Sequence, residues 1–171
     1  WDLRDPTVSA VSAGPEAGPL DLTFSPTAPL LASLDSEGSV SFSAIKQDLS
    51  EQLDQAAPGA ASLRFSSSGL EFAAYGGGAF TLWDVPSRNV RTQTDVNDNV
   101  LAVEKCSSGA WTSLSTSNES IAELHSAIDG SLLFAIPHAS RISAGAFAPD
   151  CKFLATATEG GTLAIWQPSL P

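Results

Sequence analysis

The sequence predicts an all-β fold in which a four-stranded antiparallel sheet recurs about four times along the chain. Two series of marker residues, one at the ends of apolar runs and one just before turns, share an interval of about 41 residues. Between the markers, apolar and polar residues alternate, which is the pattern of a half-buried strand. An interval of this length is typical of architectures that stack one supersecondary unit on the next.

Tryptophans form the first series. Trp1, Trp83 and Trp166 each end a short apolar run, and they are 82 and 83 residues apart. Half of that distance is the repeat interval. Ser43 and the pair Leu124-His125 stand where the intermediate members of the series would fall.

A second series runs in a different phase. Phe24, Phe65, Lys105 and Phe147 are separated by 41, 40 and 42 residues, and a turn-forming segment follows each of them. The two series together divide the chain into four repeat units, preceded by residues 1–4 as the end of an earlier strand. The units are residues 5–43, 44–84, 85–125 and 126–167.

Each unit contains a first strand, in which apolar and polar residues alternate, as at Leu20, Leu22 and Phe24 in the first unit. A second and a third strand follow and are joined by a tight turn, most clearly in the second unit. There, Leu70–Ala74 and Phe80–Asp84 flank the glycine turn Gly76–Gly78. The third unit is degenerate and out of step by about one residue. The segments between the units are expected to supply a fourth strand: Thr7–Ala13, Arg88–Thr94 and Ser131–Ile136.

One of these connecting segments is ambiguous. In Lys46–Gln55, Leu49 and Leu53 lie four residues apart in a polar background, and Ser50 is a suitable capping residue. A short surface helix therefore competes equally with a strand in this segment.

The repeat resembles the WD-repeat family. Residues 147–156 read Phe-Ala-Pro-Asp-Cys-Lys-Phe-Leu-Ala-Thr, which is similar to the family's Phe-Ser-Pro-Asp-Gly start, and Trp1-Asp2 and Trp83-Asp84 match its naming dipeptide. The resemblance implies a β-propeller whose blades are four-stranded antiparallel sheets. It further implies that these four blades belong to a larger propeller of seven or eight, with a closed four-bladed ring as the less favoured alternative.

The departures from the family pattern predict a divergent member. No Gly-His pair precedes any unit, so we expect the family's buried Asp-His-Ser/Thr-Trp hydrogen-bond network to be incomplete. His138 is predicted to be solvated in a loop between blades, and His125 to be a packing or edge residue. Cys151 occupies the usual glycine position, where a left-handed backbone is often required.

Composition narrows the classes of partner. The chain carries 8 basic and 19 acidic residues, for a net charge of −11, which disfavours binding to nucleic acid or to anionic membranes. No apolar run reaches the roughly 18 residues of a membrane span. With only two cysteines, Cys106 and Cys151, we predict unpaired thiols in a reducing compartment, and therefore an intracellular protein, cytoplasmic or nuclear.

Catalytic and ligand-binding motifs receive little support. The sequence has no Gly-x-Ser-x-Gly elbow, and Gly76–Gly78 lacks the Lys-Ser/Thr ending of a phosphate-binding loop. Asp95 and Asp98 offer oxygen ligands, but their spacing does not fit a calcium-binding loop. We therefore assign no catalytic residue, metal or cofactor, and an enzyme is the least favoured class.

The turns between second and third strands are the best candidate for binding, because in the resembled family they help to form the face that holds partners. We expect an acidic docking rim and a non-catalytic scaffold for protein–protein interaction within an intracellular complex. The alternative is a set of purely structural blades packed permanently in a large assembly. The partners would be proteins with basic surfaces and further blades from the same or another chain. The predicted rim residues are Asp35, Ser36, Glu37, Asn118, Glu119 and Glu159.

Overall fold

The computed structural model describes residues 18–44, 49–52, 57–95, 99–106 and 108–168, and these form four antiparallel sheets, here called blades 1 to 4. Consecutive strands are neighbours in every blade. Blade 1 contains β1 (Pro19–Phe24), β2 (Leu30–Asp35), β3 (Val40–Ala44) and β4 (Leu49–Gln52). Blade 2 contains β5 (Ser62–Phe65), β6 (Glu71–Gly76), β7 (Ala79–Asp84) and β8 (Val90–Asp95).

Blades 3 and 4 continue the same antiparallel order. Blade 4 has three strands among the described residues. Blade 3 contains β9 (Asn99–Lys105), β10 (Trp111–Asn118), β11 (Ile121–Ser126) and β12 (Leu132–Pro137). Blade 4 contains β13 (Ile142–Phe147), β14 (Leu154–Thr158) and β15 (Leu163–Trp166).

The all-β fold class predicted from the sequence is confirmed. The expected fourth strands over residues 88–94 and 131–136 correspond to β8 and β12, and the ambiguous segment 46–55 contains a strand, β4. Each sequence unit after the first contains the fourth strand of one blade and the first three strands of the next blade. Trp1, Asp2 and the segment 7–13 lie outside the described residues.

The degenerate third unit is accommodated by irregularities within blade 3. The register shifts between Thr116 and Asn118 where β10 pairs with β11, and between Leu114 and Ser115 where β10 pairs with β9. Such bulges let a strand with an extra residue keep its place in a sheet. The sequence therefore reads one residue out of step while the four-stranded blade is preserved.

The turn between β6 and β7 requires glycine. Gly77 has a φ of 55°, and a Cβ atom there would lie 2.1 Å from the carbonyl oxygen of Gly59. An L-residue would clash with this backbone atom from the segment that connects blades 1 and 2. The sequence interpretation of Gly76–Gly78 as a hairpin turn is confirmed.

Blades pack face to face, and an aromatic cluster fills the space between blades 1 and 2. Phe42 on β3 lies with its ring centroid 6.1 Å from that of Phe65 on β5 and 5.1 Å from that of Phe72 on β6. Trp83 extends the cluster, 5.7 Å from Phe72. Contacts of this kind add to the hydrophobic stabilisation that burial of the rings supplies.

Charged residues join blades 2 and 3. Glu71 on β6 is buried and accepts from Arg91, from Lys105 on β9 and from the indole Nε1 of Trp111, the last at 3.1 Å. Lys105 stands where the other repeat units carry phenylalanine, and the carboxylate of Glu71 compensates its charge. A second inter-blade pair joins Arg64 to Glu104. The loss of an aromatic side chain in the third unit is therefore offset by ion pairing.

A disulfide joins blades 3 and 4 and corrects the prediction of unpaired thiols. Cys106 and Cys151 are bonded, with their Cα atoms 5.2 Å apart and both residues buried. The two cysteines are 45 residues apart in sequence, but the stacking of blades places their turns side by side. Cys151 has a φ of 55°, so the glycine position does adopt the expected left-handed backbone.

We expect Cys106→Ser to lower the free energy of unfolding by about 2–4 kcal/mol, because the disulfide no longer restricts the unfolded chain. The measurement is urea unfolding with and without a reductant. The reductant should destabilise the wild-type protein to the level of the variant and leave the variant unchanged. Equal stability of oxidised wild type and variant would contradict the prediction.

We expect Glu71→Gln to lower the free energy of unfolding by about 1–3 kcal/mol, because Lys105 loses its charge partner at a poorly solvated joint. Asp150→Asn is the matched control, since Asp150 pairs with Lys152 at the surface at 3.4 Å. The control should unfold at nearly the wild-type urea midpoint. Equal effects of the two substitutions would show that the joint does not depend on this carboxylate.

Candidate functional site

The turns that connect second to third strands are bound to the segments between blades. Between blades 1 and 2, the backbone N–H of Ala57 donates to the carbonyl of Gly38 at 2.7 Å, and that of Ala61 donates to the carbonyl of Tyr75 at 2.9 Å. One connecting segment therefore contacts the turn region of both blades. We call the four turns between second and third strands, with the strand ends beside them, the turn rim: residues 35–39, 77–78, 118–120 and 159–162.

The connection between blades 3 and 4 repeats this arrangement. His138 donates its backbone N–H to the carbonyl of Ser120 at 2.8 Å, and Ile142 donates to that of Glu119 at 2.7 Å. On the other side, the backbone N–H of Glu159 donates to the carbonyl of Arg141 at 2.8 Å. These backbone bonds fix neighbouring turns relative to each other, so the turn rim is held by more than its own hairpins.

The residues predicted to form the rim are distributed over three blades. Their side chains are exposed at five of the six positions, with Asp35 as the exception. Asp35 is buried, and its carboxylate accepts the backbone N–H groups of Glu37 and Ser39 at 2.9 and 2.8 Å. It stabilises its own turn. The exposed members are Ser36 and Glu37 in blade 1, Asn118 and Glu119 in blade 3, and Glu159 in blade 4.

Sequence reasoning missed Arg141, which lies beside the turn rim in the segment before β13. Its guanidinium lies 3.8 Å from a carboxylate oxygen of Glu119 and 3.6 Å from one of Glu159, and all three side chains are exposed. The sequence offers no signal for this pairing, because the two glutamates are 40 residues apart. Exposed pairs at these distances contribute little stability. Their effect here is to give the rim of blades 3 and 4 a mixed charge.

A hydrogen-bonded relay lies in blade 4 and the segment before it. The indole Nε1 of Trp166 donates to Oγ1 of Thr156 at 2.9 Å, and Oγ1 lies 2.8 Å from Nε2 of His138. Nδ1 of His138 lies 2.9 Å from the carbonyl of Ile136, which only accepts. Nδ1 therefore carries the proton, and Nε2 accepts from the Thr156 hydroxyl. The prediction that His138 is solvated is wrong, because both nitrogens of its ring form hydrogen bonds within the protein.

The relay contains the His, Thr and Trp members of the network that the family resemblance implies. Where that network has an aspartate, the ring of His138 bonds a backbone carbonyl instead. The ring also lies edge-on to Trp166, with the centroids 5.6 Å apart. The other three members come together without a Gly-His pair, because Pro137-His138 places a histidine within reach of Thr156.

The second histidine also bonds within the fold. His125 is half-buried on β11, with Nδ1 3.1 Å from the carbonyl of Gly130 and Nε2 3.3 Å from a carboxylate oxygen of Glu123. This placement matches the packing or edge role that the sequence predicts. Both histidines of the chain therefore contribute to local structure.

The remaining marker residues lie where the repeat predicts strands and strand ends. Phe65 and Trp83 are buried, and Phe147 packs partly buried against the core between blades 3 and 4. Asp84 follows Trp83 and accepts the hydroxyl of Ser87 at 2.9 Å. Phe24 is exposed on β1.

A cavity of about 240 Å³ lies in blade 3, in the region of the turns opposite the turn rim. None of its lining side chains is charged, and hydroxyl groups form much of its polar surface. The cavity therefore holds no acid–base pair for catalysis. It is lined by Ser108, Ala110, Trp111, Thr112, Ser126, Ser131 and Leu133.

Among the described residues, three ionisable groups have pKa values shifted by their surroundings. Burial raises the pKa of the Tyr75 phenol, which therefore stays neutral near the turn of blade 2. Hydrogen bonds from Ser126 and Ser131 lower the pKa of Asp129, and the backbone N–H of Lys152 lowers that of Asp150. The two carboxylates stabilise turns on the edge opposite the rim.

Within the part of the chain that the structure describes, no three His, Cys, Asp or Glu side chains are grouped as a metal site would require. Asp98, which the sequence raised as an oxygen ligand, lies outside that part. The described residues also contain no helix with the length and hydropathy to cross a bilayer.

The fold is found in known proteins. The chain is similar to the computationally designed Ika4 protein, with a TM-score of 0.68 and 16% sequence identity over 90% of this chain and 93% of that one. It is also similar to the β-propeller domain of Cps50 (Swd1) from Myceliophteria thermophila, with a TM-score of 0.73 and 15% identity over 88% of this chain. No family model matches the sequence, and no curated protein matches it.

These similarities define the architecture. The four antiparallel sheets form a β-propeller-like arrangement, and the matched part of the chain spans 52% of the Swd1 propeller domain, about half its length. At sequence identities this low, the structural similarity shows the fold and does not show the activity.

We expect Thr156→Val to lower the free energy of unfolding by about 1–3 kcal/mol, because Trp166 loses its buried acceptor and His138 its donor. Thr162→Val, at an exposed position in the turn of the same hairpin, is the matched control and should change stability little. Urea unfolding measures stability, and the indole N–H resonance of Trp166 reports the broken bond. An unchanged resonance in Thr156→Val would contradict the relay.

Proposed function

We propose that this chain is a divergent WD-repeat propeller segment that acts as a non-catalytic scaffold, with the turn rim as its protein-docking surface. The observation that carries the proposal is the construction of the rim. Exposed polar side chains from three blades stand on turns that backbone hydrogen bonds tie to the connecting segments. A preorganised surface of this kind loses little conformational entropy when a partner binds.

The charge of the rim favours a basic partner. Glu37, Glu119 and Glu159 are exposed there, on a chain with a net charge of −11. Lys- and Arg-rich protein surfaces would be steered to it by long-range attraction. Arg141 adds one cation between two of the glutamates, which suits a partner that presents an acceptor at that point. Nucleic acid and anionic lipid would be repelled by the same field.

The non-catalytic part of the proposal is supported by the use of the two histidines. His138 bonds Ile136 and Thr156, and His125 bonds Gly130 and Glu123, so both rings serve structural contacts. The cavity in blade 3 offers hydroxyl groups and no charged partner to activate them.

The intracellular setting stays a prediction, and the disulfide removes the argument on which it rested. Cytoplasm and nucleus keep thiols reduced, whereas Cys106 and Cys151 are bonded in this structure. Alkylation of the chain in its own cells, followed by non-reducing electrophoresis, decides between the two settings. A chain that carries two alkylated cysteines supports the intracellular proposal, and an intact disulfide contradicts it.

The docking surface is tested by removing rim charge. We expect Glu37→Gln/Glu119→Gln to weaken binding to Lys- and Arg-rich peptides, measured by calorimetry at physiological salt, at least tenfold. The matched control is Asp129→Asn/Asp150→Asn, which removes two exposed charges from the opposite edge and retains the turn acceptors. Equal weakening by both variants would show that only net charge matters and would contradict docking at the rim.

A purely structural role is favoured by a different observation, the apolar side chains exposed on blades 1 and 4. Leu22, Phe24, Leu163 and Ile165 are all exposed. Side chains of this kind stand uncovered in soluble monomers only singly or in small patches.

A further inference from the structure

The first strand of blade 1 exposes a face that is buried in blade 2. Phe24 pairs with Leu31 across β1 and β2, and Phe65 pairs with Phe72 across β5 and β6, so the two phenylalanines occupy equivalent positions. Leu63 and Phe65, which pack towards blade 1, are 5% and 6% exposed. Leu22 and Phe24, their counterparts, are 56% and 61% exposed. The difference arises because blade 1 has no described blade in front of it.

The third strand of blade 4 shows the complementary exposure. Ile165 pairs with Ala155 in the register that joins Phe42 to Ala32 and Leu82 to Ala73. Leu163 and Ile165 are 72% and 70% exposed. Their counterparts in the other blades are at most 2% exposed: Val40 and Phe42, Phe80 and Leu82, and Ala122 and Leu124.

These two exposed faces are the two halves of one type of interface. Within the chain, Phe42 on a third strand packs against Phe65 and Phe72 on the first and second strands of the next blade. By the same equivalence, Ile165 is shaped to pack against Phe24 and the half-buried Leu31. We call the exposed apolar face of blade 4, with Leu163 and Ile165, the donor face. The exposed apolar face of blade 1, with Leu22 and Phe24, is the acceptor face.

The two faces do not meet among the described residues of one chain, since both remain exposed. The matched part of the chain corresponds to about half of the Swd1 propeller domain, so an arc of similar size would complete such a ring. A second copy would supply that arc, because it carries both faces. Each donor face then covers the acceptor face of the other copy.

We propose that two copies of this chain associate head to tail into a ring of eight blades. The contact joins two different surfaces, and such a contact gives a closed ring when the rotation closes and an open filament when it does not. Closure with two copies buries both apolar faces of each chain. The ring size agrees with the seven or eight blades that the family resemblance implies.

This inference is independent of the docking surface under Proposed function, because its residues lie on blade faces and not on the turn rim. Light scattering coupled to size exclusion, at micromolar concentration, should give twice the chain mass of 17.6 kDa. A wild-type monomer would overturn the proposal. Open-ended polymers would also overturn it.

Two single variants test the orientation. Phe24→Lys alters only the acceptor face and Ile165→Glu only the donor face, so each alone disrupts both contacts of a homodimer. Each variant should shift the dimer dissociation constant upward at least a hundredfold. Mixing the two should restore a dimer, because the mixed pair contains one unaltered contact and places lysine opposite glutamate in the other.

The controls are Leu70→Lys and Ile128→Glu, which add the same charges at exposed apolar residues away from these faces. Both should remain dimeric, and circular dichroism should show the same β content in all four variants. Dimers that survive Phe24→Lys or Ile165→Glu would refute the proposed contact. A mixture that stays monomeric would refute head-to-tail packing in favour of like faces pairing with like.

Discussion

The structure depends on the packing of one sheet face against the next. Each blade carries apolar side chains on both faces, so no single blade can bury its own surface and each blade is completed by its neighbours. The cluster of Phe42, Phe65, Phe72 and Trp83 shows how this is done between blades 1 and 2. The orientation of the turns, the course of the connecting segments and the exposed faces at blades 1 and 4 all follow from this arrangement.

The chemistry of the joints varies although their geometry repeats. Between blades 1 and 2 the contact is aromatic. Between blades 2 and 3 the carboxylate of Glu71 accepts hydrogen bonds from Arg91, Lys105 and the indole of Trp111. Between blades 3 and 4 a disulfide is added. A repeat can therefore lose a marker residue, as the third unit does at Lys105, when its neighbour supplies a matching group. Divergence in sequence is compensated across the joint and not within the unit.

The two kinds of surface on this chain have different physical origins. The turn rim is polar because the chain reverses there, and its turns are held in place because connecting segments form backbone hydrogen bonds to them. The faces of blades 1 and 4 are apolar because the same positions are core elsewhere in the chain. A scaffold can therefore bind partners through one surface while assembling through the other.

The sequence alone determined the repeat interval, the strands and the turns, because these depend on residues close together along the chain. It also anticipated the left-handed backbone at Cys151. Only the tertiary structure decided the disulfide to Cys106 and the burial of Asp35. It also decided the hydrogen bond of His138 to Thr156, its ring contact with Trp166, and the position of Arg141 between two glutamates. The disulfide and the pairing of Arg141 with Glu119 join residues from different repeat units. The contacts of His138 join a connecting segment to two strands of the same unit, and the burial of Asp35 depends on how its turn packs. Stacking of blades brings such residues together, and an alternating pattern within one unit carries no information about its neighbour.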